Sequence, residues 1–242
     1  MKIISLVPSI IETLFDFGLT ENEVIGRTKF CIHPENEVKN VAVIGGTKNL
    51  NIEKIISLNP DLIIANKEEN EKLQVEELQK NFKVWVTDIQ NLEDNEKFIS
   101  EVGLLLNKEK LAMELNTNIN KIFKNNSEKE SVKVAYLIWK NPYMTIGSDT
   151  FIHEILEKLG FENIFNNEKR YPEISLDQMR EADYIFLSSE PFPFQQKHIF
   201  ELQKELPHQK IILVDGEAFS WFGTHISKCA EYYNKLQAEI FS

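Results

Sequence analysis

The sequence predicts an α/β protein of two Rossmann-like lobes, each built on a parallel sheet, joined by one long backbone helix. Three observations lead there. Short apolar runs of strand type alternate with capped amphipathic segments, the pattern of parallel βαβ units. The same order of units occurs before residue 93 and again after residue 131. Between them, residues 93–123 read as helix almost throughout, with Phe98, Val102, Leu105, Leu106, Leu111, Leu115, Ile119 and Ile122 as the apolar positions. A chain of 242 residues can bury two modest cores. The lobes are expected at 1–106 and 128–242, with the linking helix at 107–127.

In chain order, Ile3-Ile4-Ser5-Leu6-Val7 reads as a buried strand, and Ser9-x-x-Glu12 follows as a capping box. The helix this opens carries Ile10, Ile11, Leu14, Phe15 and Phe17 and stops at Gly18. Residues 24–26 and 41–44 read as short strands. Asn51 caps a helix with Ile52, Ile55 and Ile56 inward; Asn59-Pro60 ends it, and 61–65 is strand again. A mostly polar helix at 69–80 leads to a strand at 83–87. In the second half, 132–139 is a strand and 151–159 a helix with Ile152, Ile155, Leu156 and Leu159 on one face, closed by Gly160. Ser175-x-x-Gln178 is a second capping box, and Ala182-Asp183 leads into a strand at 184–187, echoing the 52–65 unit. A last strand at 211–214 and a closing helix at 226–240 complete the plan.

Composition narrows the function. Of the residues 42% are hydrophobic and 27% charged, ordinary for a globular protein. A net charge of −11 offers nothing to neutralise a phosphate backbone or an anionic bilayer, so neither nucleic acid nor lipid surface is expected as partner. No segment approaches the roughly 18 apolar residues of a membrane span. Met1 abuts the first strand without the apolar run of a secretory signal, so the sequence as written is expected to be leaderless and cytoplasmic. Cys31 and Cys229 show no metal-type spacing and predict no disulfide framework.

In open parallel sheets, ligands bind beyond the carboxyl ends of the strands. The loops there hold an unexpected share of this acidic chain's positive charge: Arg27, Lys29, Lys48, Lys67, Lys140 and Arg170. Aromatics interleave with them: Phe30, Trp139, Tyr143, Tyr171, Phe192, Phe194, Phe219, Trp221 and Phe222. Cations beside flat rings suit a large planar or polycyclic ligand bearing carboxylates or phosphate. The plainer reading makes the lysines solubility charges and several rings core. Three motifs carry less than their letters suggest. His153-Glu154-Ile155-Leu156-Glu157 lacks the second histidine of a zinc-protease helix. Gly45-Gly46-Thr47-Lys48 has phosphate-loop letters in the wrong order. Cys31-Ile32-His33 offers two ligands where a structural metal site needs four. It could give one axial ligand to a metal already held by a chelator, or it is a buried thiol beside a loop histidine.

At this point a likeness emerges. The opening strand and helix, Ile3 to Leu14, resembles the start of helical-backbone (class III) substrate-binding proteins of ABC transporters, the vitamin B12-binding and ferric-siderophore-binding proteins. So do Ile52-Glu53-Lys54-Ile55 with Asn59-Pro60-Asp61-Leu62-Ile63-Ile64, Gly160-Phe161-Glu162-Asn163-Ile164-Phe165, and Tyr171-Pro172-Glu173-Ile174-Ser175-Leu176-Asp177-Gln178. The likeness spans essentially the whole chain. It implies two lobes joined by one rigid helix, limited hinge motion, and delivery of a metal chelate (cobalamin, haem or ferric siderophore) to a membrane permease. Its members work in the periplasm or at the cell surface, and a monomer is expected. Phe30 aligns with an aromatic lining the corrinoid cleft, and Trp221 lies in the loop that supplies a tryptophan there. The aromatic expected near residues 45–48 is missing. Members dock through one exposed glutamate per lobe; Glu68 or Glu69 fits the first and Glu190 the second, the plainer reading being solvated surface acid.

The sequence thus predicts a non-enzymatic binding protein with no cofactor of its own. Its candidate ligand contacts are Phe30, Arg27, Lys29, Lys48, Lys67, Trp139, Tyr143, Arg170, Tyr171, Phe194 and Trp221. Cys31, His33 and His225 are the residues that could touch a metal. Two alternatives stand beside it. One is a tetrapyrrole-handling enzyme of chelatase type, with His33 or His225 moving protons. The other is a cytosolic sensor or carrier of the same ligand class.

Overall fold

The computed structural model of the chain describes residues 1–124 and 131–241. These form two compact units. The first comprises Met1–Ile89, Glu93–Ile119 and Phe222–Lys228, the second Gln90–Leu92, Asn120–Trp221 and Cys229–Ser242. The expected stretches 125–127 of the linking helix and 128–130 of the second lobe, and Ser242, lie outside the described residues.

In the first unit the chain runs β1 (Ile3–Ser5), α1 (Pro8–Asp16), β2 (Val24–Arg27), α2 (Glu35–Val38), β3 (Ala42–Val43), α3 (Ile52–Leu58), β4 (Leu62–Asn66), α4 (Lys72–Gln79) and β5 (Val84–Thr87). The five strands are all parallel, in the order β3-β2-β1-β4-β5. Central β1 and β4 are wholly buried, as strands covered on both faces must be, while Val43 and Val86 on the edge strands are exposed. Ile4, Leu6, Ile44, Ile55, Ile63, Val75 and Leu78 share one core layer.

Two local readings need correction. α1 begins on Pro8 with Val7 as an uncapped N-cap, so Ser9 lies inside the first turn. Glu12 is released from the capping role and turns inward. Residues 93–123 are not one helix but two, α5 (Leu92–Leu105) and α6 (Glu109–Ile122). The chain reverses at Asn107, which sits in the left-handed region at φ 54, and the Lys108 N–H bonds back to the Gly103 carbonyl at 2.7 Å. A Cβ on Gly103 would lie 2.5 Å from that of Ala112, so this glycine permits the close crossing. Asn116 Nδ2 donates to the Glu96 carbonyl at 3.1 Å, which fixes an antiparallel hairpin. Apolar periodicity continues across the reversal and so conceals it.

The second unit holds β6 (Val132–Leu137), α7 (Phe151–Lys158), β7 (Phe161–Asn163), α8 (Leu176–Met179), β8 (Tyr184–Ser188), α9 (Gln196–Glu205), β9 (Lys210–Val214) and α10 (Gly216–Ser220). Its strands are again all parallel, in the order β7-β6-β8-β9. The period-2 alternation of strands sorts two layers. Ala135, Leu137, Ile185 and Leu187 face an aliphatic core with Leu202 and Leu206. The opposite face carries an aromatic layer, in which Tyr136 and Phe186 meet Phe219 with ring centres 5.3 and 6.4 Å apart. The closing helix expected at 226–240 is two: α11 (His225–Lys228), which belongs to the first unit, and α12 (Ala230–Ile240). Strand β7 and helices α2, α9 and α10 were not foreseen. The architecture of two parallel-sheet α/β lobes is the one the sequence predicts.

Candidate functional site

Each sheet has one place where the strand order changes direction, between β1 and β4 and between β6 and β8. Loops diverge there, which makes it the usual ligand crevice of such sheets. In the first unit two asparagines fill it. Asn70 Nδ2 donates to the carbonyls of Leu6 (3.2 Å) and Thr47 (3.1 Å), and its Oδ1 accepts the Asn66 N–H at 2.9 Å. Asn66 Oδ1 in turn accepts the N–H groups of Glu68 and Glu69. Sequence reasoning missed this pair; two asparagines four residues apart directly after an apolar strand were the available signal.

An open space of the first unit lies beyond β2 and β3. A hollow of about 460 Å³ is lined by Lys29, Phe30, Val43, Gly45, Gly46, Thr47, Lys48 and Asn49. Phe30 is 50% exposed, its edge against Gly46, where a Cβ would stand 3.3 Å from the ring. Lys29 Nζ lies 5.0 Å from the ring centre, a cation–π contact. Lys48 Nζ donates to the Glu68 carbonyl at 2.7 Å, and Gln74 bridges the Lys48 carbonyl and the Leu50 N–H. The lining thus joins an exposed ring to two cations. It contains no carboxylate and no imidazole.

In the second unit the switch point carries rings. Trp139, after β6, is 41% exposed and meets Phe192, after β8, edge to face at 5.7 Å. Phe192 N–H donates to the Ile138 carbonyl at 3.2 Å, which ties the two loops together. Tyr143 packs partly into the core below, and Lys140 pairs closely with Glu201. Arg170 stands in the left-handed region at φ 58, with its N–H on Asp149 Oδ1 at 2.6 Å and its guanidinium 5.5 Å from the Tyr171 ring centre.

Other candidates are otherwise engaged. Arg27 is not presented to a ligand carboxylate: its Nε donates to the Val38 carbonyl at 2.6 Å and its Nη1 to those of Thr28 and Cys31, closing the loop after β2. Lys67 pairs with Asp88 at 2.6 Å, away from the hollow's lining. Phe194, only 5% exposed, is core. Trp221 is 7% exposed, and its Nε1 donates to Glu190 Oε1 at 3.0 Å. Glu190, expected as an exposed docking acid, turns inward and also accepts from Ser220 Oγ at 2.6 Å. Burial pushes its pKa above the ordinary carboxylate value, and the neighbouring Glu217 and Asp215 add to this against the two hydrogen bonds. The Cys31 thiol is buried and pushed up to about 11 by that burial, so it is a structural residue. Among the described residues no three His, Cys, Asp or Glu side chains are disposed to hold a metal ion.

His33 and His225 do meet, their rings stacked at 6.2 Å, but within a polar core. His225 Nδ1 lies 2.7 Å from Glu12 Oε2, and Lys228 Nζ bonds Glu12 Oε1 at 2.8 Å and Asp16 at 2.7 Å. Burial alone would raise the pKa of Glu12, yet the bonds from His225 and Lys228 outweigh it and hold the carboxyl below its usual value. Thr224 N–H and Gly223 N–H complete the knot on Thr13 (3.1 Å) and Asn95 (2.5 Å). This network fastens residues 222–228 to α1.

Comparison with known proteins agrees with this architecture. The model of the periplasmic binding protein family matches residues 3–208. The chain is 25% identical over 184 residues to the vitamin B12-binding protein of Vibrio vulnificus, covering 74% of this chain and 67% of that one. It is 32% identical over 176 residues to an uncharacterized ABC transporter substrate-binding lipoprotein of Bacillus subtilis, covering 67% and 54%. Among solved structures it is similar to a possible iron-binding (periplasmic solute-binding) protein from Staphylococcus epidermidis, with TM-score 0.81, 25% identity, and 100% and 98% of the two chains covered.

Proposed function

The chain belongs to the periplasmic binding protein family, and on that premise we propose that it captures a metal chelate of the corrinoid, haem or ferric-siderophore class for delivery to an ABC permease. The observation that carries the reading is the hollow beyond β2 and β3, whose lining brings the exposed Phe30 ring together with Lys29 and Lys48. An exposed ring is costly to leave in water and stacks on a flat or polycyclic ligand, while the two ammonium groups meet its acidic substituents. The volume falls in the ordinary range for small-molecule sites, about 300–1,000 Å³. Trp139 with Phe192 forms a separate ring surface within the second unit. Lacking any acid–base pair in its lining, the hollow favours binding over proton-transfer chemistry. Glu68 and Glu69, whose N–H groups are pinned by Asn66, are the acids we assign to permease docking. Such a role places the protein outside the cytoplasmic membrane.

The test is a titration of cobalamin, haemin and ferric siderophores against wild type and Phe30→Ala, followed by tryptophan emission and isothermal calorimetry. One class should bind, and the variant should weaken it about tenfold, the loss of one stacked ring. No binding of any of the three, or an unaffected Phe30→Ala, overturns the reading.

A further inference from the structure

The hollow beyond β2 and β3 owes one wall to a tight turn at residues 45–50. Gly45 and Leu50 face each other as an antiparallel bridge, and the Gly46 N–H closes the turn on the Asn49 carbonyl at 2.8 Å. Gly45 sits at φ 113, where a Cβ would lie 2.4 Å from that same carbonyl oxygen, so only glycine lets the turn close. Two side chains then hold it. Asn70 Nδ2 donates to the Thr47 carbonyl at 3.1 Å. Gln74 of α4 takes both sides of the next step: Nε2 donates to the Lys48 carbonyl at 3.1 Å, and Oε1 accepts the Leu50 N–H at 2.7 Å. The carbonyls of Thr47, Lys48 and Asn49 are thereby all engaged. The N–H groups of the same three residues have no acceptor among the described residues. Successive free amides in a turn are donors for an anion.

The charges agree with the amides. Lys48 Nζ gives one bond, to the Glu68 carbonyl, which leaves two of its three donors. Lys29 Nζ rests over the Phe30 ring. Neither lysine has an ion pair among the described residues, whereas Lys67 and Lys140, at other strand ends, pair with Asp88 and Glu201. The chain has 38 acidic residues against 27 basic ones, yet this hollow is lined by two ammonium groups and no carboxylate.

We propose that the turn at 46–49 is an anion seat positioned by Gln74, and that the ligand is a chelate with free carboxylates, such as haem or a ferric hydroxycarboxylate complex. This rests on the reading above, that a chelate occupies the hollow, and adds what that chelate carries. Gln74 is not part of the lining and acts through the turn. It fixes the turn before the ligand arrives, so the ammonium group and the amides need not be ordered on binding. A chelate without negative charge would take water from the two lysines and return nothing.

Four probes test this by isothermal calorimetry at low and at high salt. Haemin and ferric citrate carry carboxylates, cyanocobalamin has no net charge, and ferrioxamine B is a cation. Haemin or ferric citrate should bind more tightly than the other two, the tighter of them naming the source of the carboxylates. Added salt should weaken that binding. Lys48→Met, at an exposed position, should weaken it about tenfold, the loss of a charged donor. Gln74→Met keeps the side-chain length without either bond; it should weaken binding about threefold or more and flatten the salt dependence. A salt dependence left intact by Gln74→Met overturns the positioning role, because mere loosening of the fold would not change it. Tighter binding of cyanocobalamin or ferrioxamine B, or an unaffected Lys48→Met, overturns the anion seat. If Phe30→Ala still weakens the bound probe in that case, the chelate reading survives alone. No binding of any of the four overturns both.

Discussion

Residues that look alike in the sequence carry unlike duties here, and partners decide which. Arg27, Lys29, Lys48 and Lys67 form one group of strand-end cations on paper, yet only Lys29 and Lys48 line the hollow. Arg27 donates to three backbone carbonyls of its own loop region, those of Val38, Thr28 and Cys31. Arg27→Ala should therefore cost stability, about 1–3 kcal/mol in urea unfolding, because three bonds from a charged donor are lost at once, although the carbonyls of Val38 and Thr28 keep the N–H groups of Val41 and Cys31. Lys67→Ala removes a solvent-exposed pair with Asp88 and should shift stability by less than about 1 kcal/mol and leave ligand affinity unchanged. A titration in which Lys67→Ala weakened binding as much as Phe30→Ala would place the ligand elsewhere. The aromatics divide the same way: Phe30 and Trp139 are exposed, Phe194 is core, and the indole of Trp221 is held by Glu190.

At the level of elements, caps and turns were the most legible signals. Asn51 accepts the Lys54 N–H at 2.9 Å, and Ser175 forms the complete capping box with Gln178. Asn51→Ala should lower stability by about 1 kcal/mol, read as a lower midpoint in thermal unfolding, since α3 then starts with an unpaired donor. Ser9 shows the limit of the same rule. Its spacing to Glu12 is right, but Pro8 already opens α1 with Val7 as the N-cap, so Ser9 lies inside the first turn and has no capping place. The 93–123 segment failed for a related reason. Leu104, Leu105 and Leu106 extend the apolar run through the turn, and only Asn107, able to adopt the left-handed conformation, hints at the reversal. Gly103→Leu should test the hairpin, because a bulky side chain has no room against Ala112. We expect it to be far more destabilising than the loss of helix propensity would suggest.

Over the whole molecule, the buried carboxyl of Glu12 and the partly buried one of Glu190 act on stability in opposite senses with pH. Glu12 has its pKa lowered by folding, so its contribution is present above its unfolded value and fades as pH falls through the folded one. Glu190 has its pKa raised, so its contribution is complete below the unfolded value and is lost as pH rises through the folded one. In urea unfolding at pH 7, Glu12→Gln should therefore destabilise and Glu190→Gln should be neutral or stabilising. Near pH 4 both differences should shrink. A reversed order at pH 7 would mean that the charged knot on α1 contributes nothing and that Glu190 is content as an anion.

Read alone, the sequence determined the α/β class, the doubled plan of parallel units, most strands, the caps of α3 and α8, and the family likeness carried by the opening strand and helix. These follow from local signals, periodicity and capping chemistry, that need only a few neighbouring residues. It also named Phe30, Lys29 and Lys48 among eleven candidate contacts, because a strand-end loop is a local feature too. Only the tertiary structure decided that Asn66 and Asn70 fill the first crevice, that Glu190 turns inward, that Arg27 serves its own loop, and that residues 222–228 join α1. Those outcomes depend on partners up to 216 positions apart, as Lys228 is from Glu12. No local pattern encodes them, since a side chain's direction is set by what is packed against it.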